Sequence, residues 1–541
     1  MNRPMQSPFN DILYTNTVPS DTECDSIRSL LAGPLKDLAD VTEEMWRLQS
    51  LIDEAVLKRV RLQQFINAHL ALLSPVRRLP DDIVRAVFTA TLPSRRNLTM
   101  SADEGPLLLS KVCKSWRTLA LTTPRLWASM HIVIPSRPKF EHLVALVNMW
   151  LERSGSVPLD ISMVYSKTCD VIFDVSPLLS TLAIESRRWR SIHLMLPNFS
   201  AHSLEKLSSD DVPQLQFMGL CLPPPAQDDD ITDPWPLAFL ETNCLRSITF
   251  TGTHSFVDAA ISWGTLTHLS IGETWASAPY LTCARALVIL SQCTMLQSCK
   301  ISLQDTDDGV PTPPVEHFSL RHLTDLAIFN HLMEGPGVGP LFFSRISLPN
   351  LRSFYFDRGY NVDITHLIPS PGSLERLCLD IEGLSCDSLL AALADMPLLQ
   401  ELVLSAEPRS REQTEETNIW RYWKSLEGDG EFLTHLTRRN DAALCPLLRR
   451  VDLHLALVSD ESLLQFVQSR AALSSVTATV HRPVQLDIIP HLQDAIAGGL
   501  VVSLKYDNNA VPEVFTYSPW EGNPNPSVYM LPEFCEVEFD F

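Results

Sequence analysis

The twelve cysteines of this 541-residue chain include no Cys-x-x-Cys pair and no Cys/His block at zinc spacing, so neither a zinc module nor a dithiol redox site is encoded. No apolar run approaches the ~18 residues that span a bilayer, which argues against a transmembrane anchor. Basic charge is short as well. With 43 Lys and Arg against 64 Asp and Glu, the formal charge is −21, and an average surface of this sign repels phosphate backbones and anionic membranes. The expectation is no nucleic-acid and no membrane partner. The opening "MNRPMQSPFND" has no apolar signal core, and the scattered thiols fit a reducing cytoplasmic or nuclear setting. In that setting the sequons at Asn97 and Asn198 carry no weight.

A catalytic constellation is also missing. "EGPGVGP" (334–340) is glycine-rich but lacks the Lys-Ser/Thr of a phosphate-binding loop. "DTDDG" (305–309) sets its acids out of register with the glycine of a calcium loop, and no suitable Glu follows. His322, His331 and His366 have no cysteine ligands nearby. The chain is expected to be no enzyme and to hold no metal and no cofactor.

What is present is apolar patterning: 45% hydrophobic against 20% charged residues, enough to bury a large core. The length exceeds one ordinary core, which makes a repeat array a serious possibility. Residues 1–33 are polar and mixed and are expected to be flexible. From Pro34 to residue 74 apolar positions recur at alternating steps of three and four, through Leu38, Val41, Met45, Leu48 and Ile52 to Leu62, Ile66 and Leu73. Arg59 and His69 interrupt the stripe. This is one long amphipathic helix that suits either a self-associating coiled coil or packing against the next domain. The Arg in the seam makes a weak zipper and favours packing within the chain.

Residues 75–134 form a compact helical segment. "LPDDIVRAVFTATL" places Ile83, Val87 and Phe88 on one helical side behind Asp81 and Asp82, and "LLLSKVCKSWRTLAL" sets Leu109, Val112, Trp116, Leu119 and Ala120 at helical spacing. Between them "PSRRNLTMSADEGP" (93–106) reads as a loop.

From residue 150 to 506 the pattern becomes apolar-x-x-apolar-x-apolar. Copies begin at Trp189, Leu215, Leu245, Leu266, Leu296, Leu323, Leu351, Leu374, Leu399 and Leu448. One such copy matches by chance too often to count, but the intervals run from 21 to 30 residues, with one of 49 that has room for two units. Helix-like stretches such as "SCDSLLAALADMP" follow several copies. A strand and then a helix at this period is the pattern of a leucine-rich-repeat-like solenoid. The segment 407–432 reads as an inserted loop, "VTATV" through "LVVSLKY" as a terminal cap, and 507–541, with seven acids and no Lys or Arg, as an acidic tail. The fold class is mixed α/β: a long helix, a small helical segment, then an irregular strand-and-helix array.

"LPDDIVRAVF…VCKSWRTLALTTPRLW", Leu79 to Trp127, resembles an F-box, the helical module by which substrate receptors dock onto the Skp-family adaptor of SCF-type cullin–RING ubiquitin ligases. With the long helix before it and leucine-rich strands after it, the whole chain resembles the fungal F-box proteins with C-terminal leucine-rich repeats. The resemblance implies an adaptor interface built by Leu79, Pro80, Ile83, Val87, Val112, Cys113 and Trp116. It also implies that Phe88, Leu119, Leu126 and Trp127 hold the small bundle together. The polar loop 93–106 departs from the family, in which a more helical middle is the rule.

The resemblance implies a substrate-recruiting ligase subunit; the alternative is a leucine-rich scaffold that works outside a ligase. For an unknown target protein, the outward strand positions His193, His268, Asp325, Arg376 and Glu401 are candidates, since solenoids bind on their strand face. Trp420, Tyr422 and Trp423, clustered in the polar insertion, are a second candidate patch.

Overall fold

The structure, a computed structural model, describes residues 7–73, 75–166, 173–196, 200, 202–222, 237–252, 260–272, 281–303, 315–330, 342–357, 368, 370–380, 386–405, 429–437, 444–454, 458–480 and 484–506. The patch Trp420, Tyr422 and Trp423, the glycine-rich and acidic loops, His331, His366 and the tail 507–541 lie outside the described residues. The chain divides into two units, Met1–Val84 and Arg85–Phe541.

In the first unit one helix, α1, runs from Asp21 to Leu73, 53 residues. It begins at Asp21 rather than at Pro34, so the second part of the segment expected to be flexible is helical and Pro34 lies inside the helix. Ser20 is the physical reason. Its backbone N–H and its hydroxyl both donate to the Glu23 carboxylate at 2.7 Å, which is half of a capping box at the helix start.

The helix α2 (Asp81–Ala90) carries the unit boundary, and α3 (Gly105–Val112) and α4 (Lys114–Leu121) follow in the second unit. Cys113 separates the last two, and its Sγ accepts the Trp116 N–H at 3.4 Å as the N-cap of α4. Further helices of this unit are α5 (Phe140–Ser154), α6 (Ser176–Ile184), α7 (Cys283–Gln292), α8 (Cys386–Ala394), α9 (Asp429–Leu436), α10 (Asp460–Ser469) and α11 (Gln493–Ala497). The insertion expected over 407–432 therefore ends in helix. Phe432, Leu433 and Leu436 bury the apolar face of α9, which outweighs the polar, glycine-marked sequence before it.

The strands are β1 (Ser129–Ile134), β2 (Leu159–Tyr165), β3 (Trp189–Met195), β4 (Phe217–Leu222), β5 (Ser247–Gly252), β6 (His268–Ile271), β7 (Ser298–Leu303), β8 (Phe318–Ser319), β9 (Asp325–Asn330), β10 (Ile346–Ser347), β11 (Ser353–Asp357), β12 (Arg376–Asp380), β13 (Glu401–Ser405), β14 (Arg450–His454), β15 (Ser475–Val480) and β16 (Val501–Tyr506). All but β8 and β10, which pair with each other, form one 14-stranded parallel sheet. Its strands follow chain order from β1 to β16. Because β13 and β14 are direct neighbours, the 49-residue interval holds one unit and not two.

Nine strands, β4, β6, β7, β9 and β11 to β15, are entered the same way. The first leucine of the pattern lies two residues before the strand and is buried, and its N–H closes a turn onto the carbonyl three residues back. This bond recurs at Leu215, Leu266, Leu296, Leu323, Leu351, Leu374, Leu399, Leu448 and Leu473. The next residue donates to its counterpart in the preceding unit at 2.7–2.8 Å, as Gln297 does to Thr267, Thr324 to Gln297 and Arg352 to Thr324. Parallel pairing needs a crossover between strands, and these shared turns give the crossovers that lead into those nine strands the same exit. The apolar residues that follow, such as Leu269, Cys299, Leu326, Phe354 and Leu377, lie in one register row and are buried. The alternate residues share the opposite, more polar face.

Two sets of bonds close the ends of this unit. At the first, His131 N–H donates to Leu98 O at 2.7 Å, so residues 98–99 bridge onto the free side of β1. At the second, buried Asp460 accepts the N–H groups of Gln485 and Leu486 at 2.8 Å and the Tyr506 hydroxyl at 3.0 Å. Among the described residues, no helix is long and apolar enough to cross a membrane.

Candidate functional site

The residues implied by the F-box resemblance fall on both units. In the first, Leu79, Pro80 and Ile83 are exposed. In the second, the Phe88 ring meets Trp116 edge-on at 4.9 Å and joins α2 to α4. The Arg85 guanidinium reinforces that joint by donating to Thr122 O and to the Thr122 hydroxyl, each at 3.0 Å. Phe88, Leu119, Leu126 and Trp127 are buried, and Trp127 donates its indole N–H to Ala120 O at 2.8 Å while its ring meets Trp150 at 4.7 Å. The inner side of this small segment is thus closed.

Its outer side keeps apolar residues in solvent. Val87, Val112 and Cys113 are exposed, Val112 to 57%. Trp116 is half-buried against Phe88 and so serves the bundle as well as its surface. Leu108 is exposed too, one helical turn before Val112 on α3. The sequence reading missed it, although the i, i+4 spacing from Val112 was visible.

The loop 93–106, the departure from the family pattern, is structured. The Glu104 carboxylate accepts the Thr99 N–H at 3.0 Å, the Thr99 hydroxyl and the Arg96 guanidinium. Leu98 is buried and packs against Gly105, which adopts φ +52°; a side chain there would meet the Leu98 methyls. Asn97 Oδ1 accepts from the Ser129 hydroxyl at 3.1 Å. The loop ties α3 to the first strand of the sheet.

Strand register places the other candidates on one face. His268, Asp325, Arg376 and Glu401 fall in a single row across β6, β7, β9, β11, β12 and β13, with Ser298 and Ser353 between them. His193 stands in the next row of that face, level with Gly219, Thr249, Ser270 and Lys300, and its ring lies over Gly219. Glu401 sits between two arginines, at 3.4 Å from Arg376 and 3.8 Å from Arg450. Phe329 and Tyr355 form a half-exposed ring pair at 5.2 Å in the same region. Arg450, Lys300, Phe329 and Tyr355 were missed by the sequence reading, though each occupies an alternate strand position as the named candidates do.

Burial lowers the His268 pKa, and the nearby Asp325 opposes that shift. The depression beside it, lined by Ser247, Thr249, Ser270, Ser298 and Lys300, measures about 10 Å³ and has room for roughly one water. Among the described residues, no three His, Cys, Asp or Glu side chains group as metal ligands would. A face of mixed charge with partly exposed aromatics is suited to contact a protein surface. No protein-family model and no curated protein matches the chain.

Proposed function

We propose that the chain is the substrate-recruiting subunit of an SCF-type cullin–RING ubiquitin ligase. Residues 79–127 act as an F-box that docks the Skp-family adaptor, and the strand-and-helix array, taken as an irregular leucine-rich-repeat solenoid, receives a target protein on its polar face. The observation that carries this reading is the contrast within 85–127: Val87, Leu108 and Val112 stay in solvent on helices whose inner sides are closed by Phe88, Leu119 and Trp127. Exposed aliphatic residues on a closed small bundle are what a partner helix covers.

The repeated leucine turns and the chain-order sheet support the solenoid reading. The loop 96–104 adds a mechanical role, because it ties α3 to β1 and so fixes a docked adaptor with respect to the sheet. A target held on that sheet would then be presented at a defined distance from the ubiquitin-charged enzyme, which raises the effective concentration of its lysines. The chemistry would reside in the partners, in the cytoplasm or nucleus.

The test is co-purification of the full chain with its host's Skp-family adaptor, natural sequence against a Val87→Glu, Val112→Glu variant checked by circular dichroism. Both positions are exposed, so the variant is expected to fold. Stoichiometric capture that is lost in the folded variant supports the receptor. No capture by the natural chain overturns it.

A further inference from the structure

We propose that α1 is a self-association surface and that a second copy of this chain docks on it in antiparallel orientation. The inference is independent of the adaptor reading. Its first support is exposure without polarity: Leu38, Val41 and Met45 are 62%, 59% and 66% exposed, and the stripe remains exposed through Ile52, Leu62 and Leu73. From Leu38 to Leu73 the three-and-four spacing continues for about five heptads, beyond the three or four that sustain a coiled coil.

Charge identifies the occupant. Residues 21–57 carry nine acids and three bases, whereas residues 58–73 carry Lys58, Arg59 and Arg61 and no acid. The two halves of the helix have opposite sign, −6 and +3, so the surface that best complements it is its own, reversed. A parallel in-register pair would stack Arg59 against Arg59 of the partner subunit in the seam, with both Lys58 ammonium groups alongside. Four cations would crowd one turn, where the basic half supplies no acid. Reversal removes that conflict.

The heptad positions then select a register. With residue 50 on the twofold axis, Leu48 is level with Ile52 of the partner subunit, and Leu51, on the flank, meets the partner's Leu51. Glu44 opposes the partner's Lys58, and symmetry makes this pair twice. Arg59 comes level with Val41 of the partner subunit, between the partner's Asp37 and the partner's Glu44. At 1.5 Å per residue, the two Leu73 ends lie about 70 Å apart.

The test is sedimentation velocity on the full chain at low ionic strength, where exposed charge pairs are least screened. The natural chain is expected to be a dimer. Glu44→Lys and Lys58→Glu each turn two attractive pairs into two repulsive ones, and each is expected to weaken dimerisation by roughly tenfold. An equimolar mixture of the two variants restores both pairs and is expected to dimerise like the natural chain. Circular dichroism on each variant shows whether α1 remains helical. A natural chain that is monomeric at tens of micromolar overturns the proposal. Single reversals without effect, or a mixture no tighter than either variant alone, overturn the antiparallel register.

Discussion

Arg96 and Glu104 are ion-paired with side chains 10% and 14% exposed, and the same carboxylate holds the N–H and hydroxyl of Thr99. That arrangement turns a polar loop into the joint between α3 and the sheet. Without this carboxylate the Thr99 N–H and hydroxyl lose their acceptor and the Arg96 guanidinium loses its counter-charge. Glu104→Ala is therefore expected to cost about 2 kcal/mol in urea unfolding followed by tryptophan fluorescence. Lys111, paired at 3.8 Å with the largely exposed Asp103, is the control, and Lys111→Ala is expected to leave the transition unchanged. Equal effects of the two substitutions would show that the loop is not a joint.

The joint also shows what the sequence did and did not disclose. The entries to β4, β6, β7, β9 and β11 to β14 were legible because the leucine two residues before each of them is buried and closes the turn, and the template records that position. The start of α1 was legible in Ser20-x-x-Glu23 but was overshadowed by Pro34, which is tolerated inside the helix. The role of 96–99 was not legible. Its partners Ser129 and His131 lie some thirty residues on, and composition alone marks Pro, Ser, Asp and Gly as a loop. Likewise, four of the five strand candidates share one row, but their pairing register is set by crossovers of unequal length that no local pattern encodes.

His268 is a pH-dependent element of the polar face. Burial lowers its pKa in the fold, so the unfolded chain binds the proton more readily. The sign follows: the contribution of neutral His268 is complete above its unfolded pKa near 6.5 and is lost as pH falls through the folded value. A titration of imidazole NMR signals, with His268→Gln as the assignment, is expected to place this histidine below 6.5. Asp325→Asn removes the opposing charge and is expected to lower the value further. A value above 6.5, or an upward move in Asp325→Asn, would contradict the burial shown here.

Asp460 holds the end of the sheet through Gln485, Leu486 and Tyr506, and it is buried. Without it, two backbone N–H groups and a phenol lose their acceptor, and β16 is left with fewer ties than any inner strand. Hydrogen exchange read by mass spectrometry is expected to show faster exchange over 484–506 in Asp460→Ala, while peptides of β9 to β12 exchange as in the natural chain. Uniform acceleration along the sheet would instead indicate that the array unfolds as one body.

Thiol reactivity separates buried from exposed cysteines and bears on the proposed adaptor surface. Burial pushes the Cys293 thiol up to about 12 and raises Cys299 as well, so both are expected to resist a maleimide in the folded chain. Among the described cysteines, Cys113 and Cys244 are exposed and are expected to react first. Only Cys113 stands among the residues through which the adaptor is proposed to dock, at the junction of α3 and α4. Labelling in the presence of a saturating Skp-family adaptor is therefore expected to slow at Cys113 at least severalfold and to continue unchanged at Cys244, which makes Cys244 an internal clock for reagent and folding alike. Equal protection of both would point to global tightening of the chain. No protection of Cys113 in a complex that demonstrably forms would move the adaptor off the α3–α4 junction.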